Sequence, residues 1–189
     1  MLNRIFAILA MAVIFNQVQA KGLDLRLADE AAELIFLAET STFGYGGADM
    51  GFGFFFNEAD DVMFSASMMV SGHGAGNNRA LKFGVGVKLL GADLDVPDMT
   101  ASALALGGQI RYVIPSTTPV ALLAEGFISP DITSFNDAEQ YLEYRFALEL
   151  EVTPSARAYI GYRKIEIDLG GARDYEMDDD VHLGVRLAF

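Results

Sequence analysis

The sequence has no cysteine and little positive charge, and each shortage removes a class of protein. Without cysteine, the chain has no disulfide framework, no lipoprotein anchor and no Cys/His zinc pattern. The formal net charge is −13, from 13 Lys and Arg against 26 Asp and Glu. Because nucleic-acid binding depends on clustered Lys and Arg, we expect no nucleic-acid partner. No glycine-rich phosphate-binding motif lies between a strand and a helix, and we expect no cofactor and no resident metal.

Long hydrophobic runs are also missing after residue 20. The N-terminal run, residues 5–15, is too short to cross a bilayer as a helix, which needs about 20 residues. With Arg4 before it and Val18-Gln19-Ala20 after it, the run predicts a signal peptide over residues 1–20 that is cleaved after Ala20. A retained membrane anchor is the alternative, against which the polar residues 16, 17 and 19 argue. Residues 21–189 then form one exported domain.

Alternating apolar and polar or small residues fill the rest of the chain in segments of strand length. In the clearest segment, residues 80–90, five apolar side chains share one face and Lys82, Gly84, Gly86 and Lys88 share the other. A hairpin within residues 23–38 brings the number of strands from eight to ten, whereas a single bent strand or a periplasmic lead-in there leaves eight. The apolar parity changes near Lys164, which predicts a bulge in that strand. The eight segments are residues 49–56, 62–71, 80–90, 102–114, 120–128, 140–152, 157–169 and 181–189.

The last segment has the pattern of the closing strand of an outer-membrane barrel. His182 is a polar residue followed two positions later by Gly184, and Leu187 and Phe189 are apolar at the third-last and last positions. Such a strand completes the cylinder and is recognised by the barrel-assembly machinery. Its terminal aromatic is typical of the membrane interface.

The connecting segments differ in length and charge. Residues 114–119 and 152–155 are compact turns that contain proline, while residues 91–100, 129–138 and 170–180 predict longer, acidic loops. Short turns on one side and long loops on the other are typical of outer-membrane barrels. With the C-terminus in the periplasm, the proline turns fall on the periplasmic side.

Alternation alone also fits a soluble barrel with an apolar interior. The polar face here, however, mixes glycines with charges of both signs, which suits a narrow lumen. We therefore predict an all-β, transmembrane, antiparallel up-and-down β-barrel of eight to ten strands in the outer membrane. The charges predicted to face its lumen are Lys82, Lys88, Arg111, Glu125, Glu143, Arg145, Glu149 and Arg186.

The chain resembles the YfaZ family of small outer-membrane proteins. The resemblance is best in the C-terminal third, and it covers most of the mature chain. It implies a small outer-membrane β-barrel and no particular mechanism. The residues that carry it are Ser129-Pro130-Asp131 after a strand with Glu125, Thr153-Pro154, Gly161-Tyr162-Arg163, Gly184-Val185 with Phe189, and the central Gly84-Val85-Gly86-Val87.

Candidate chemistry is sparse. The two histidines are His73 and His182, and His182 with Asp180 and a serine is the one arrangement that would suit a lipid-modifying enzyme. Residues 174–180 are acidic but lack the spacing of a calcium loop.

We therefore predict a non-enzymatic, porin-like scaffold or narrow pore. A lipid-modifying enzyme of the outer membrane and a soluble periplasmic barrel that binds an apolar ligand are the alternatives. The expected partners are outer-membrane lipids, lipopolysaccharide and the barrel-assembly machinery.

Overall fold

Eleven antiparallel strands make up almost all of the described structure. The computed structural model describes residues 20–39, 48–74, 80–95, 98–115, 119–170 and 174–189, and the predicted signal peptide lies almost wholly outside them. Within these ranges no helix is long and apolar enough to cross a membrane. The strands are β1 (Ala20–Leu27), β2 (Ala31–Glu39), β3 (Ala48–Asn57), β4 (Val62–His73), β5 (Leu81–Leu94), β6 (Met99–Ile114), β7 (Val120–Ser129), β8 (Ser134–Asn136), β9 (Gln140–Thr153), β10 (Ala156–Asp168) and β11 (Asp174–Ala188).

The sheet closes into a ten-stranded barrel. Strands that are neighbours in the chain pair with each other, except that β7 pairs with β9 past the short β8, and β1 pairs with β11 over Gly22–Leu27 to complete the cylinder. β7 and the short β8 occupy one position, because both pair with β6 and are separated by a 3₁₀ turn at Asp131–Thr133. The prediction of an all-β antiparallel barrel of eight to ten strands is confirmed. The N-terminal hairpin exists as β1 and β2.

The two ends of the barrel differ. The first residue of β1 and the last residue of β11 lie at one end, which we call the lower end. The opposite end, the upper end, carries the connections at residues 28–30, 58–61 and 95–98. Both described chain termini therefore meet at the lower end, as an even number of antiparallel strands requires.

Large apolar side chains cover the outside of the barrel through its lower and middle parts. We call this outward surface the apolar belt. Phe54 and Phe64 stack across β3 and β4 with ring centroids 5.0 Å apart, and Tyr144 lies 6.2 Å from Tyr162 across β9 and β10. The most exposed members of the belt on different strands are Leu27, Phe56, Val70, Val85, Leu106, Leu122, Val152, Ile160 and Leu183.

Polarity inverts in the upper part of the barrel. There the inward side chains are apolar and form a continuous cluster, which we call the upper plug: Phe55, Met63, Leu90, Ala92, Leu94, Ala101, Ala103, Tyr141, Ile165, Ile167 and Met177. The outward side chains at the same level are polar, among them Asp93, Thr100, Ser102, Lys164, Glu166, Asp174 and Glu176. The upper part is therefore built like a soluble barrel, and the rest has the opposite arrangement.

The prediction of a bulge near Lys164 is wrong. The bulge lies in β11 and not near Lys164 in β10, because Ile165 pairs with Asp178 while Glu166 pairs with Glu176, which leaves Met177 as the extra residue. Ile165 and Ile167 keep the inward parity of their strand and enter the upper plug. The apolar parity changes because the environment inverts, not because the strand turns over.

In their described residues, two of the three acidic segments predicted as long loops, 91–100 and 170–180, are mostly strand, whereas the third, 129–138, contains a 3₁₀ turn and the short β8. β5 extends to Leu94 and β6 begins at Met99, so most of residues 91–100 is paired. Residues 174–180 lie in β11, where Asp174 and Glu176 point to solvent while Tyr175 and Met177 turn inward. Strand pairing with β10 therefore extends through an acidic sequence because every second residue supports the upper plug.

Asp61 ties the upper connections together. Its carboxylate accepts hydrogen bonds from Asn57 Nδ2 (2.9 Å), the Tyr175 hydroxyl (2.6 Å) and the backbone N–H of Asp95 (3.0 Å). Burial and the hydrogen bond to Asp61 raise the pKa of the Tyr175 hydroxyl above its ordinary value. These contacts fix the first residues of β11 against two turns.

The plug predicts a clear difference between two isoleucines of β10. Ile165 is fully buried in the plug, and Ile160 faces outward in the apolar belt. Ile165→Ala should lower the free energy of unfolding by about 2–5 kcal/mol, because it leaves a cavity in a packed cluster. Ile160→Ala should cost less than half as much. Denaturant unfolding of both variants in detergent checks this, and equal losses would contradict an apolar packed upper end.

Candidate functional site

The lumen below the upper plug is filled by charged side chains from opposite strands. At its centre, Glu33 Oε2 accepts hydrogen bonds from Arg26 Nη1 (2.9 Å) and from Arg163 Nη1. Arg163 Nε donates to Asp178 Oδ2 at 2.6 Å. All four side chains are nearly or fully buried. They form one alternating chain of charges across β1, β2, β10 and β11, which we call the central network.

A second group lies below the central network. Arg186 donates to Asp24 Oδ2 from Nη2 (2.6 Å) and Nε (3.0 Å), and the Tyr159 hydroxyl donates to Asp24 Oδ1. Arg26 Nη2 lies 3.6 Å from the same carboxylate, so the two groups are joined. Asp24 is fully buried, and two guanidinium groups and the Tyr159 hydroxyl surround its carboxylate. Ion pairs of this kind are geometrically fixed because an unpaired buried charge is costly.

The remaining pairs link β5 and β6 with β9. Lys88 Nζ lies 2.5 Å from Glu143 Oε2, which also accepts a hydrogen bond from the Tyr141 hydroxyl at 2.7 Å. Arg111 Nε donates to Glu149 Oε2 at 2.7 Å. Ion pairs between strands therefore also join β5 and β6 to β9 inside the lumen.

All eight charges predicted for the lumen lie on the inward parity of their strands. Lys88, Glu143, Arg145 and Glu149 are buried, and the other four are half-buried: Lys82, Arg111, Glu125 and Arg186.

Five further network residues were not in the predicted set: Asp24, Arg26, Glu33, Arg163 and Asp178. The parity of β1 carries the missing signal for two of them, since Leu23, Leu25 and Leu27 point outward and leave the residues between them to face the lumen.

The four residues of the predicted closing-strand signal divide between the two faces of β11. His182 and Gly184 face the lumen and are buried, and Leu187 and Phe189 are exposed. A side chain at position 184 would place its Cβ 2.1 Å from Cζ of Tyr159. Glycine is therefore required there for the ring to lie flat against β11 and reach Asp24.

His182 lacks the partners of a catalytic base. Its two ring nitrogens have no hydrogen-bond partner in the described residues, and its ring packs edge-on against Tyr159 with centroids 5.9 Å apart. A catalytic histidine needs a nucleophile and an orienting carboxylate within hydrogen-bond reach. The other histidine, His73, is exposed at the lower end of β4.

Arg145 is the least satisfied cation of the lumen. Its side chain is buried, its closest carboxylate oxygen is that of Glu125 at 3.7 Å, and its Nε and Nη1 have no hydrogen-bond partner among the described residues. The guanidinium lies 5.5 Å from the centroid of the Tyr159 ring. A cation–π contact of this kind offsets part of the missing hydrogen bonding.

A cavity of about 440 Å³ opens beside the charge networks. It lies against β3 and β4, where four small residues leave room for it: Gly51, Gly53, Ser65 and Ser67. Lys82 and Arg157 extend its lining to the lower end, while the upper plug lies above it. We call it the lower vestibule.

Metal-binding geometry is not found in the described part of the chain, where no group of three or more His, Asp or Glu side chains could hold an ion. Residues 174–180 in particular alternate between the two faces of β11. Their carboxylates do not converge on one point.

The sequence matches a known protein family. The family model described as "YfaZ precursor" matches residues 3–189. The chain belongs to the YfaZ family. As the description of a precursor implies, YfaZ proteins are exported and processed. No curated protein matches this YfaZ chain.

The central network gives a prediction on two matched glutamates. Glu33→Gln removes the charge that Arg26 and Arg163 share, and should lower the free energy of unfolding by about 3–5 kcal/mol. Glu166→Gln alters a partly exposed pair with Lys164 (3.4 Å) on the outer surface and should cost less than about 1 kcal/mol. Unfolding of both variants in detergent measures this. A neutral Glu33→Gln would mean that the network does not hold the barrel closed.

Proposed function

We propose that this protein is a small outer-membrane barrel without enzymatic activity, and that it is a closed scaffold and not an open pore. The observation that carries the proposal is the inverted polarity of the lower and middle barrel. Charges there fill the centre and large apolar side chains face outward. We propose that the apolar belt contacts the lipid chains and that the upper end contacts the head groups of the outer leaflet.

The apolar belt supports the membrane location by its extent. Soluble monomers rarely expose a contiguous apolar patch larger than a few hundred Å². Here exposed Leu, Ile, Val and Phe side chains occur on strands all around the cylinder, from Leu25 in β1 to Leu187 in β11. Lipid is the environment in which such a surface is stable, and a closed sheet is one of the two backbone arrangements that lipid permits.

The direction of insertion follows from the two ends. Outer-membrane barrels keep their termini in the periplasm. The lower end therefore faces the periplasm, and the polar, acidic upper end faces the exterior of the cell. Lipopolysaccharide would then meet the outward polar side chains of the upper part. Phe189, which is exposed at the lower end, would be accessible to the assembly machinery.

The filled lumen favours a scaffold over a pore. Two layers obstruct the axis, namely the central network and the upper plug above it. Neither layer is a loop that could swing aside, because both consist of side chains on the barrel strands themselves. A soluble barrel for an apolar ligand fits poorly, since the cavity is lined largely by charges.

Membrane insertion is tested by two matched arginine substitutions. Val85→Arg places a cation in the apolar belt, at one of its most exposed side chains, and should disfavour folding into bilayers by about 2–4 kcal/mol. Ile132→Arg, above the belt in the 3₁₀ turn and even more exposed, should have little effect. Folding yields into lipid vesicles compare them. A Val85→Arg variant that is stable and soluble without detergent would overturn the proposal and favour the soluble barrel.

Conductance separates scaffold from pore. The mature chain reconstituted in planar bilayers should give no steady ionic current at neutral pH, because the central network and the upper plug fill the axis. A general porin in the same bilayer controls for insertion and detection. Reproducible single-channel steps from the folded, heat-modifiable protein would show that the lumen opens.

A further inference from the structure

The lower vestibule combines cations that face each other near the lower end, carboxylates that pair with most of these cations, and several apolar side chains. We propose that it binds a small organic anion, a molecule with one carboxylate, phosphate or sulfate group on an apolar body, which enters from the lower end. This inference requires the barrel fold and goes beyond the proposed scaffold function.

Like charges face each other at the mouth of the vestibule. Lys82 is directly opposite Arg111 across β5 and β6, and Arg157 is directly opposite Arg186 across β10 and β11. All four line the cavity. Directly opposed like charges destabilise a sheet unless an anion lies between or beside them.

The carboxylates near the mouth satisfy these cations unequally. Glu149 pairs with Arg111, and Asp24 pairs with Arg186. Glu151 Oε2 lies 3.8 Å from Arg157 Nε, which is too far for a hydrogen bond. Lys82 has no carboxylate within 4.0 Å in the described residues, although Asp49 also lines the cavity. Residues 40–47, 75–79 and 116–118, which lie outside the described ranges, contain no Asp or Glu. The chain therefore offers Lys82 few internal partners.

Apolar side chains form part of the remaining wall, beside Ser65, Ser67 and Gln109, and they identify the kind of anion. Ile35, Leu37, Met69 and Leu123 line the same cavity. The small side chains of β3 and β4 leave the space beside them. Binding sites that combine an apolar wall with a few fixed charged groups select ligands with both features. At about 440 Å³, the cavity admits a molecule the size of a bicyclic aromatic acid.

The test uses three probes: an aromatic anion, an aromatic cation of similar size, and an anion without an apolar body. The mature protein in non-ionic detergent is titrated calorimetrically with 2-naphthoate, 2-naphthylmethylammonium and inorganic phosphate, and titrations into empty micelles are subtracted. We expect one molecule of 2-naphthoate per chain, weaker binding of phosphate, no saturable binding of the ammonium compound, and loss of affinity as salt shortens the screening length. Saturable binding of the cation, or phosphate binding as tight as that of 2-naphthoate, would overturn the assignment.

Matched lysine variants locate the site. Lys82→Gln should weaken 2-naphthoate binding about tenfold, the value of one charge-assisted hydrogen bond, and Lys82→Arg should retain it. Lys164→Gln, which removes the same charge from the outer surface of the upper part, should bind as the wild type does. Ser67→Met should also reduce binding by filling the cavity beside β4 without changing the charge.

Unchanged affinity in Lys82→Gln and Ser67→Met would place binding elsewhere and overturn the proposal. Heat-modifiable migration of each variant verifies that it is folded. Because the titration requires only a folded barrel, a negative result leaves the bilayer experiments with Val85→Arg independent of it.

Discussion

The ion pairs of Glu33 are the interaction on which the closed barrel depends. Glu33 belongs to β2, Arg26 to β1, Arg163 to β10 and Asp178 to β11, so the central network crosses the junction where the two ends of the sheet meet. β1 pairs with β11 only over Gly22–Leu27, whereas β10 pairs with β11 over Ala156–Asp168. The pairing of β1 with β11 is the shorter of the two ladders that β11 forms, and side chains inside the cylinder reinforce it. Asp24 and Arg186 add a second link directly between β1 and β11.

Buried charges can have this role because they are neutralised in place. A lumen charge without a partner costs several kcal/mol, and removal of one partner is more harmful than replacement of both. Each cation of the two joined groups therefore constrains the strand that carries its anion. Small residues on other strands make room for them: Gly184 admits the Tyr159 ring, which holds Asp24 from the other side. The register of β10 against β11 is fixed by side-chain geometry as well as by backbone hydrogen bonds.

Much of this architecture follows from the sequence, and its failures have one cause. Period two identified the strands and the eight lumen-facing positions because it holds wherever a strand separates two environments. It failed near Lys164, where the change of apolar parity suggested a bulge in β10. The side chains there keep their faces, and the surroundings exchange polarity instead, with Ile165 and Ile167 packed inside and Lys164 and Glu166 in solvent. A pattern of hydrophobicity reports the contrast between two faces but not which face is the interior.

The same inversion hid residues of the site. Arg163 directly precedes the apparent parity change, so the sequence alone leaves its face ambiguous, and Glu33 stands in a strand whose other inward residues, Ile35 and Leu37, are apolar. Their roles depend on partners more than 100 positions away in the chain, as in the pair of Glu33 with Arg163. Only the closure of the barrel brings such positions together.

The distribution of charge along the axis explains why the acidic composition is misleading for function. Of the ten Lys and Arg residues in the described ranges, eight face the lumen: Arg26, Lys82, Lys88, Arg111, Arg145, Arg157, Arg163 and Arg186. Most outward carboxylates are left at the upper end, while the cations of the vestibule face the lower one. A chain with a net charge of −13 therefore presents, on the side that its termini share, a cavity whose lining combines seven Lys and Arg side chains with six carboxylates and several apolar residues. Because the upper plug and central network close the other side, a molecule that enters this cavity is bound and released at the same end.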